Sequence, residues 1–157
     1  MKILFQGDSI TDVGRNTNSG SLLSIGQGYP CLIASRLGAD EPGKYEFVNR
    51  GISGNRIVDV YARIKADCWN LEPDLLSVLI GVNDVWHEFA VQNGVDADRF
   101  YAVYKMLVCD TKERLPGIIL DKLSLAPLAN NRVHVQFITK KKSMPMSAYI
   151  IQLPIVL

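Results

Sequence analysis

Lys2-Ile3-Leu4-Phe5-Gln6 is a short apolar run with no polar alternation, and it breaks off into Gly7-Asp8-Ser9-Ile10-Thr11. A strand apolar on both faces needs cover on both faces, which is the situation of a parallel sheet between layers of helices. Two later runs, Tyr45–Asn49 and Leu75–Ile80, end in polar-glycine clusters of their own. The segments between them have helical spacing. Gly28–Leu37 carries Cys31, Ala34 and Leu37, with Gly38 expected at the C′ position. Asn55–Trp69 puts Ile57, Val60, Tyr61 and Ile64 on one stripe, and Asp96–Leu115 is a long helix stopped by Pro116-Gly117. Three strand–helix units in succession predict a three-layer α/β/α domain with a mainly parallel sheet.

Length and charge narrow the class. With 157 residues, residues 1–157 are expected to form one domain large enough to bury most of its apolar surface. The 48% apolar and 21% charged content is that of a globular protein, not a disordered one. A net charge of +1 gives no basic excess to favour nucleic acid or a membrane surface as partner. No apolar run approaches a membrane span, and the three apolar residues in the first run are too few for a secretory core, so the expected compartment is cytoplasmic. Cys31, Cys68 and Cys109 are odd in number and widely spaced, which favours buried structural thiols over a metal site or nucleophile.

The last quarter departs from this pattern. Ile118–Leu125 and Val133–Ile138 read as strands, but only Pro127–Arg132 separates them. A parallel crossover takes about a dozen residues, so either these strands form an antiparallel hairpin with Asn130-Asn131 in its turn, or a crossover helix is missing. Lys140–Lys142 is a short solvated charge run, and the strand-like Tyr149–Leu157 has no closing helix after it.

Three clusters carry the chemistry: Gly7-Asp8-Ser9-Ile10-Thr11, Asn49-Arg50-Gly51-Ile52-Ser53-Gly54-Asn55 and Gly81-Val82-Asn83-Asp84. A hydroxyl, a backbone donor and an amide at the carboxyl ends of strands sit where open α/β sheets bind ligands, and together they are parts of an acyl-transfer site. Each cluster alone also fits a structural reading. The first is then a turn with a serine N-cap, the second a loop capping the next helix, and the third an ordinary Asn/Asp turn.

The three clusters, in this order and each after its strand, resemble the first three blocks of the GDSL, or SGNH, hydrolases. The resemblance covers Met1 to Gly117, about three quarters of the chain. It implies the flavodoxin-like fold of that family and a serine ester hydrolase that needs no metal or cofactor. It also implies Ser9 as nucleophile, with the Ser9 N–H, the Gly54 N–H and the Asn83 side-chain amide as oxyanion donors. A small-molecule ester is the implied partner, with acetyl esters on carbohydrates the favoured class. Trp86, Tyr29 and Tyr61 are candidate flat faces for a sugar. Asp8 and Asp84 are expected to organise loop hydrogen bonds at the rim. The family's fourth block, Asp-x-x-His, has no counterpart after Gly117. Asp84-Val85-Trp86-His87 has the spacing but follows the third block directly, so His87 is expected as a site-lining or surface residue before a base, and His134 as a sheet-surface residue. Without a base a serine hydroxyl is a poor nucleophile at neutral pH. The expectation is therefore a C-terminal third that is truncated, frameshifted or incompletely represented. The alternative is an impaired member that binds esters or carbohydrates without turnover.

Overall fold

The computed structural model describes residues 1–18 and 22–122. Four strands, β1 (Lys2–Gly7), β2 (Glu46–Asn49), β3 (Leu75–Leu79) and β4 (Ile119–Lys122), form one sheet in the order β2-β1-β3-β4. Every pairing is parallel, with Phe5 opposite both Asn49 and Ser77, and Ser77 opposite Asp121. The helices are α1 (Ser9–Asp12), α2 (Tyr29–Asp40), α3 (Ile57–Asp67), α4 (Val82–Val91) and α5 (Ala97–Arg114).

The continuous apolar strands explain the layers. Alternate β1 and β3 residues point to opposite faces. Ile3, Phe5 and Leu79 pack with Tyr29 and Ile33 of α2, while Leu4, Leu76 and Val78 pack with Ile57, Val60 and Ile64 of α3 and Leu107 of α5. The expected three-layer parallel α/β domain is therefore present, with α2 on one face and α3 and α5 on the other. The strand order is the start of the flavodoxin-like 2-1-3-4-5 series. From β1 the chain goes to β2 on one side and then returns to β3 on the other. The topological switch point thus lies between the carboxyl ends of β1 and β3, where Gly7-Asp8-Ser9 and Gly81-Val82-Asn83 leave the sheet.

Several boundaries differ from expectation, each for a local reason. Gly38 is not a C′ residue: α2 continues through it to Asp40, supported by the Arg36–Asp40 pair, and ends where Pro42 forces Glu41 out of helical geometry. The Asn55–Trp69 helix is shorter, Ile57–Asp67, followed by a 3₁₀ turn at Trp69–Leu71. Of its predicted stripe, Ile57, Val60 and Ile64 are buried and Tyr61 is half-buried. Asp96 caps α5 by accepting from the Arg99 N–H at 2.9 Å, so that helix starts as the sequence indicates. The cysteines are free thiols, but only Cys68 is buried; Cys31 is intermediate and Cys109 exposed, because it lies on the outer side of α5. The strand over Ile118–Leu125 is present as β4 as far as the described residues go. The segments Pro127–Arg132, Val133–Ile138 with His134, Lys140–Lys142 and Tyr149–Leu157 lie outside the described residues. No helix among the described residues is long and apolar enough to cross a membrane.

Candidate active site

Loop-to-loop hydrogen bonds stitch the three clusters together at the switch point. Between the first and second clusters, the Ile52 N–H donates to Gly7 O at 3.0 Å, and Asn49 Nδ2 donates to Thr11 O at 2.7 Å. Ser53 donates to Asp12 Oδ2 from both its N–H, at 3.0 Å, and its hydroxyl, at 2.9 Å. Between the second and third, Asn83 Nδ2 donates to Asn55 O at 3.0 Å, and the Ile57 N–H donates to both Asp84 carboxylate oxygens at 3.0 and 3.2 Å. Gly51 fits this seam because it lacks a side chain: a Cβ there would lie 2.6 Å from the Asp12 nitrogen.

Ser9 is the first residue of α1 and is exposed, at the carboxyl end of β1. The N-cap is Asp8, whose Oδ1 accepts from the Ile10 N–H at 3.0 Å; a serine N-cap is therefore not what this turn uses. The helix is one turn long, ended by Val13 at φ 22°, so an aligned helix dipole adds little at Ser9. What the turn does supply is a free Ser9 N–H, the unpaired donor of a first helical residue.

Gly54 stands at φ +83°, and nothing lies within 4 Å of where its Cβ would be. Neither the Gly54 nor the Ser9 N–H donates to another group among the described residues. Asn83 is buried at the first turn of α4; one amide hydrogen holds Asn55 O, which fixes the side chain and leaves its second donor for another acceptor. The third cluster is thus the start of a helix rather than an ordinary turn.

Asp8 and Asp84 are both buried. Burial pushes the Asp8 carboxyl above the usual carboxylate range, the Ile10 N–H pulls it back, and the charge on Asp84 raises it further. Asp84 is likewise raised by burial, against the stabilising Ile57 N–H. Asp8 Oδ2 has no hydrogen-bond partner among the described residues. Because its folded-state pKa lies above the ordinary 3.8, proton uptake by Asp8 favours the fold below that value, and the benefit is lost as pH rises through the folded pKa. Asp8→Asn keeps an acceptor for the Ile10 N–H and removes the buried charge. Thermal melts should therefore show the variant more stable than wild type at pH 7, with the gap closing on acidification. A gap that widens at low pH would reverse this account of Asp8.

His87 follows Asn83 by one turn on α4, within electrostatic reach of Asp59 on α3. It makes no hydrogen bond to Ser9 among the described residues. Asp59 is held below the carboxylate range first by its hydrogen bond with Arg56, whose Nε donates to it at 2.9 Å. Of the three aromatic candidates, Tyr29 is buried and hydrogen-bonded to Thr11, and Tyr61 donates to Asp110 on the α3–α5 face. Trp86 alone is open, at 65% exposure. Asp12 and Arg15, which the sequence reading did not single out, tie the first cluster to the second. Among the described residues no group of histidines, cysteines and carboxylates is arranged to hold a metal.

Residues 5–140 match the GDSL-like Lipase/Acylhydrolase family. An acetylxylan esterase from Geobacillus stearothermophilus is 40% identical over 126 residues, which is 76% of this chain and 58% of the esterase. A protein described as a GDSL-like lipase from Parabacteroides merdae superposes with a TM-score of 0.77 at 36% identity, over 83% of this chain and 62% of its own. The Geobacillus enzyme superposes with a TM-score of 0.70 over 76% of this chain and 57% of its own. Its solved structures include three called catalytic mutants, with alanine in place of a serine, an aspartate or a histidine. This chain therefore spans about three fifths of the length of these relatives.

Proposed function

The chain belongs to the GDSL-like lipase/acylhydrolase family, and from that premise we propose that it is a serine ester hydrolase for small acyl esters, acetyl groups on carbohydrates among them. The observation that carries this reading is the joining of the Ser9, Gly54 and Asn83 loops by direct hydrogen bonds. In the proposed reaction, Ser9 Oγ bonds to the ester carbonyl carbon, and the oxyanion receives the Ser9 N–H, the Gly54 N–H and the second Asn83 N–H. The bond to the alcohol then breaks, the hydroxyl proton passes through a general base to the leaving alcohol, and water releases the acid from acyl-Ser9. Asp8 and Asp84 shape the loops, and His87 lines the rim. None of these steps calls for a metal or cofactor.

A second reading is favoured by one observation, the lack of any hydrogen bond from Ser9 to a histidine among the described residues. In a serine protease, loss of the histidine alone lowers turnover about 10⁶-fold. A chain without a base would then bind esters or carbohydrates and scarcely turn over. A fluorophosphonate separates the two: phosphorus bonds to Ser9 Oγ, fluoride departs, and the proton goes to solvent or base. A mass increase of one adduct, mapped to the Ser9 peptide, supports the hydrolase. A folded protein that takes up no adduct but binds acetylated xylo-oligosaccharide supports the binder.

The carbohydrate preference has its own test. Trp86 lies three residues after Asn83 on α4, about 60° round the helix, and is 65% exposed. An indole face on an exposed rim suits the apolar face of a sugar. Trp86→Ala should raise KM for an acetylated xylo-oligosaccharide about tenfold, equivalent to ~1.4 kcal/mol. KM for a small alkyl acetate should stay the same. An equal change for both esters would remove Trp86 from sugar recognition.

A further inference from the structure

We propose that Asp12 is a positioning residue that fixes the Gly54 N–H relative to Ser9; the inference rests on the ester-hydrolase reading. Asp12 ends the single turn of α1 that Ser9 begins, so its carboxylate and the nucleophile move as one unit. Its Oδ2 holds Ser53 by two bonds, to the N–H at 3.0 Å and the hydroxyl at 2.9 Å. Arg15 completes the clamp. Its Nε lies 3.6 Å from Asp12 Oδ1, and it donates to Gly51 O from Nε at 3.1 Å and Nη2 at 2.7 Å. The Arg15 and Asp12 side chains are only 9% and 20% exposed, and the Arg15 bonds to Gly51 are part-buried, whereas the Asp12–Ser53 bonds lie at the surface.

Residues 51, 52 and 53 are each tied to the first cluster: Gly51 O by Arg15, the Ile52 N–H by Gly7 O, and Ser53 by Asp12. Gly54 is different. Its N–H has no partner among the described residues, its φ is +83°, and nothing stands within 4 Å of its Cβ position. The direction of that N–H is set by the peptide plane it shares with Ser53. Whatever anchors Ser53 therefore aims the donor, and the anchor is carried on the turn that also bears the nucleophile. Asp12 thus links the spacing of two reacting parts that are 45 residues apart in sequence. A displacement of about 1 Å at a reacting centre costs on the order of 10²-fold in rate.

The test measures fluorophosphonate labelling of Ser9 as separate inactivation rate and binding constants, kinact and KI, alongside thermal melts. Asp12→Ala should lower kinact about 10- to 100-fold while KI holds, because binding is kept and alignment is lost. Asp12→Asn, which retains an oxygen able to accept both Ser53 bonds, should recover most of the rate. Ser53→Ala keeps the ion pair with Arg15 and loses one bond, and should lower kinact by a few-fold without a shift in melting. If Asp12→Ala fails to fold, Ser53→Ala and Asp12→Asn decide: wild-type kinact in Ser53→Ala together with a fall in Asp12→Asn overturns the proposal. Unchanged kinact in a folded Asp12→Ala overturns it alone. A wild-type protein that never labels overturns the ester-hydrolase reading, and this inference with it.

Discussion

Ser9→Ala is expected to abolish fluorophosphonate labelling and to bring ester turnover to the level of buffer, with no change in melting beyond about 0.5 kcal/mol of stability. The two halves of this result have separate causes. Ser9 is exposed, and its hydroxyl makes no hydrogen bond to any described residue, so alanine removes neither packing nor a bond that holds the turn. The turn itself is held by Asp8, which caps Ile10, and by the Val13 N–H on Ser9 O, both of which survive the substitution. What is lost is the atom that bonds to phosphorus or to an acyl carbon. Other hydroxyls near the rim are already committed: Thr11 is buried against the Tyr29 hydroxyl at 3.2 Å, and Ser53 donates to Asp12. In subtilisin, removal of the serine costs about 10⁶-fold in turnover, so any residual activity in this variant should be indistinguishable from background. Intact mass is the measurement. An adduct that persists in Ser9→Ala would transfer the nucleophile to another residue.

The sequence was most informative where physical signals are local. β1 and β3 were legible because a strand covered on both faces shows no polar alternation, Ser77 being the one polar residue within β3, and α5 because Asp96 caps one end and Pro116 blocks the other. The fourth helix was not legible. Val82, Val85, Trp86 and Phe89 do recur at helical spacing, but that stripe is exposed, and the helix docks through Asp84 accepting the Ile57 N–H, so its apolar side does not mark the face it packs with. Gly38 misled for the opposite reason: a residue that often ends helices is tolerated inside α2, where the stop comes from Pro42. At the candidate site, the roles proposed for Ser9, Gly54 and Asn83 could be read from the letters because they call for particular residue types in the loops after strands. Asp12 and Arg15 carry no such mark. Their bonds to Ser53 and Gly51 join residues 41 and 36 positions apart, and only the folded chain brings them together.

Asn83→Ala should lower the labelling and hydrolysis rate by about 10²- to 10³-fold, or roughly 3–4 kcal/mol, with little effect on ground-state binding. The reason lies in the two donors of one amide. The first is spent on Asn55 O at 3.0 Å, and that bond orients the side chain rather than stabilising an anion. The second is free to meet negative charge that exists only once the carbonyl, or the phosphoryl group of a probe, has been attacked. A bond made only at that stage lowers the barrier and leaves substrate affinity untouched. Losing the Asn55 contact should cost about 1 kcal/mol of fold stability, a shift of about 2–4 °C in melting. Asn83→Asp should be worse than alanine in rate. A carboxylate there can donate to neither Asn55 O nor an oxyanion, and it would place a charge beside the buried Asp84. The order of rates, wild type above alanine above aspartate, distinguishes an oxyanion donor from a residue that merely packs. If Asn83→Ala changes KM but not kcat, the amide binds substrate in its ground state, and the oxyanion role passes to the two backbone N–H groups alone.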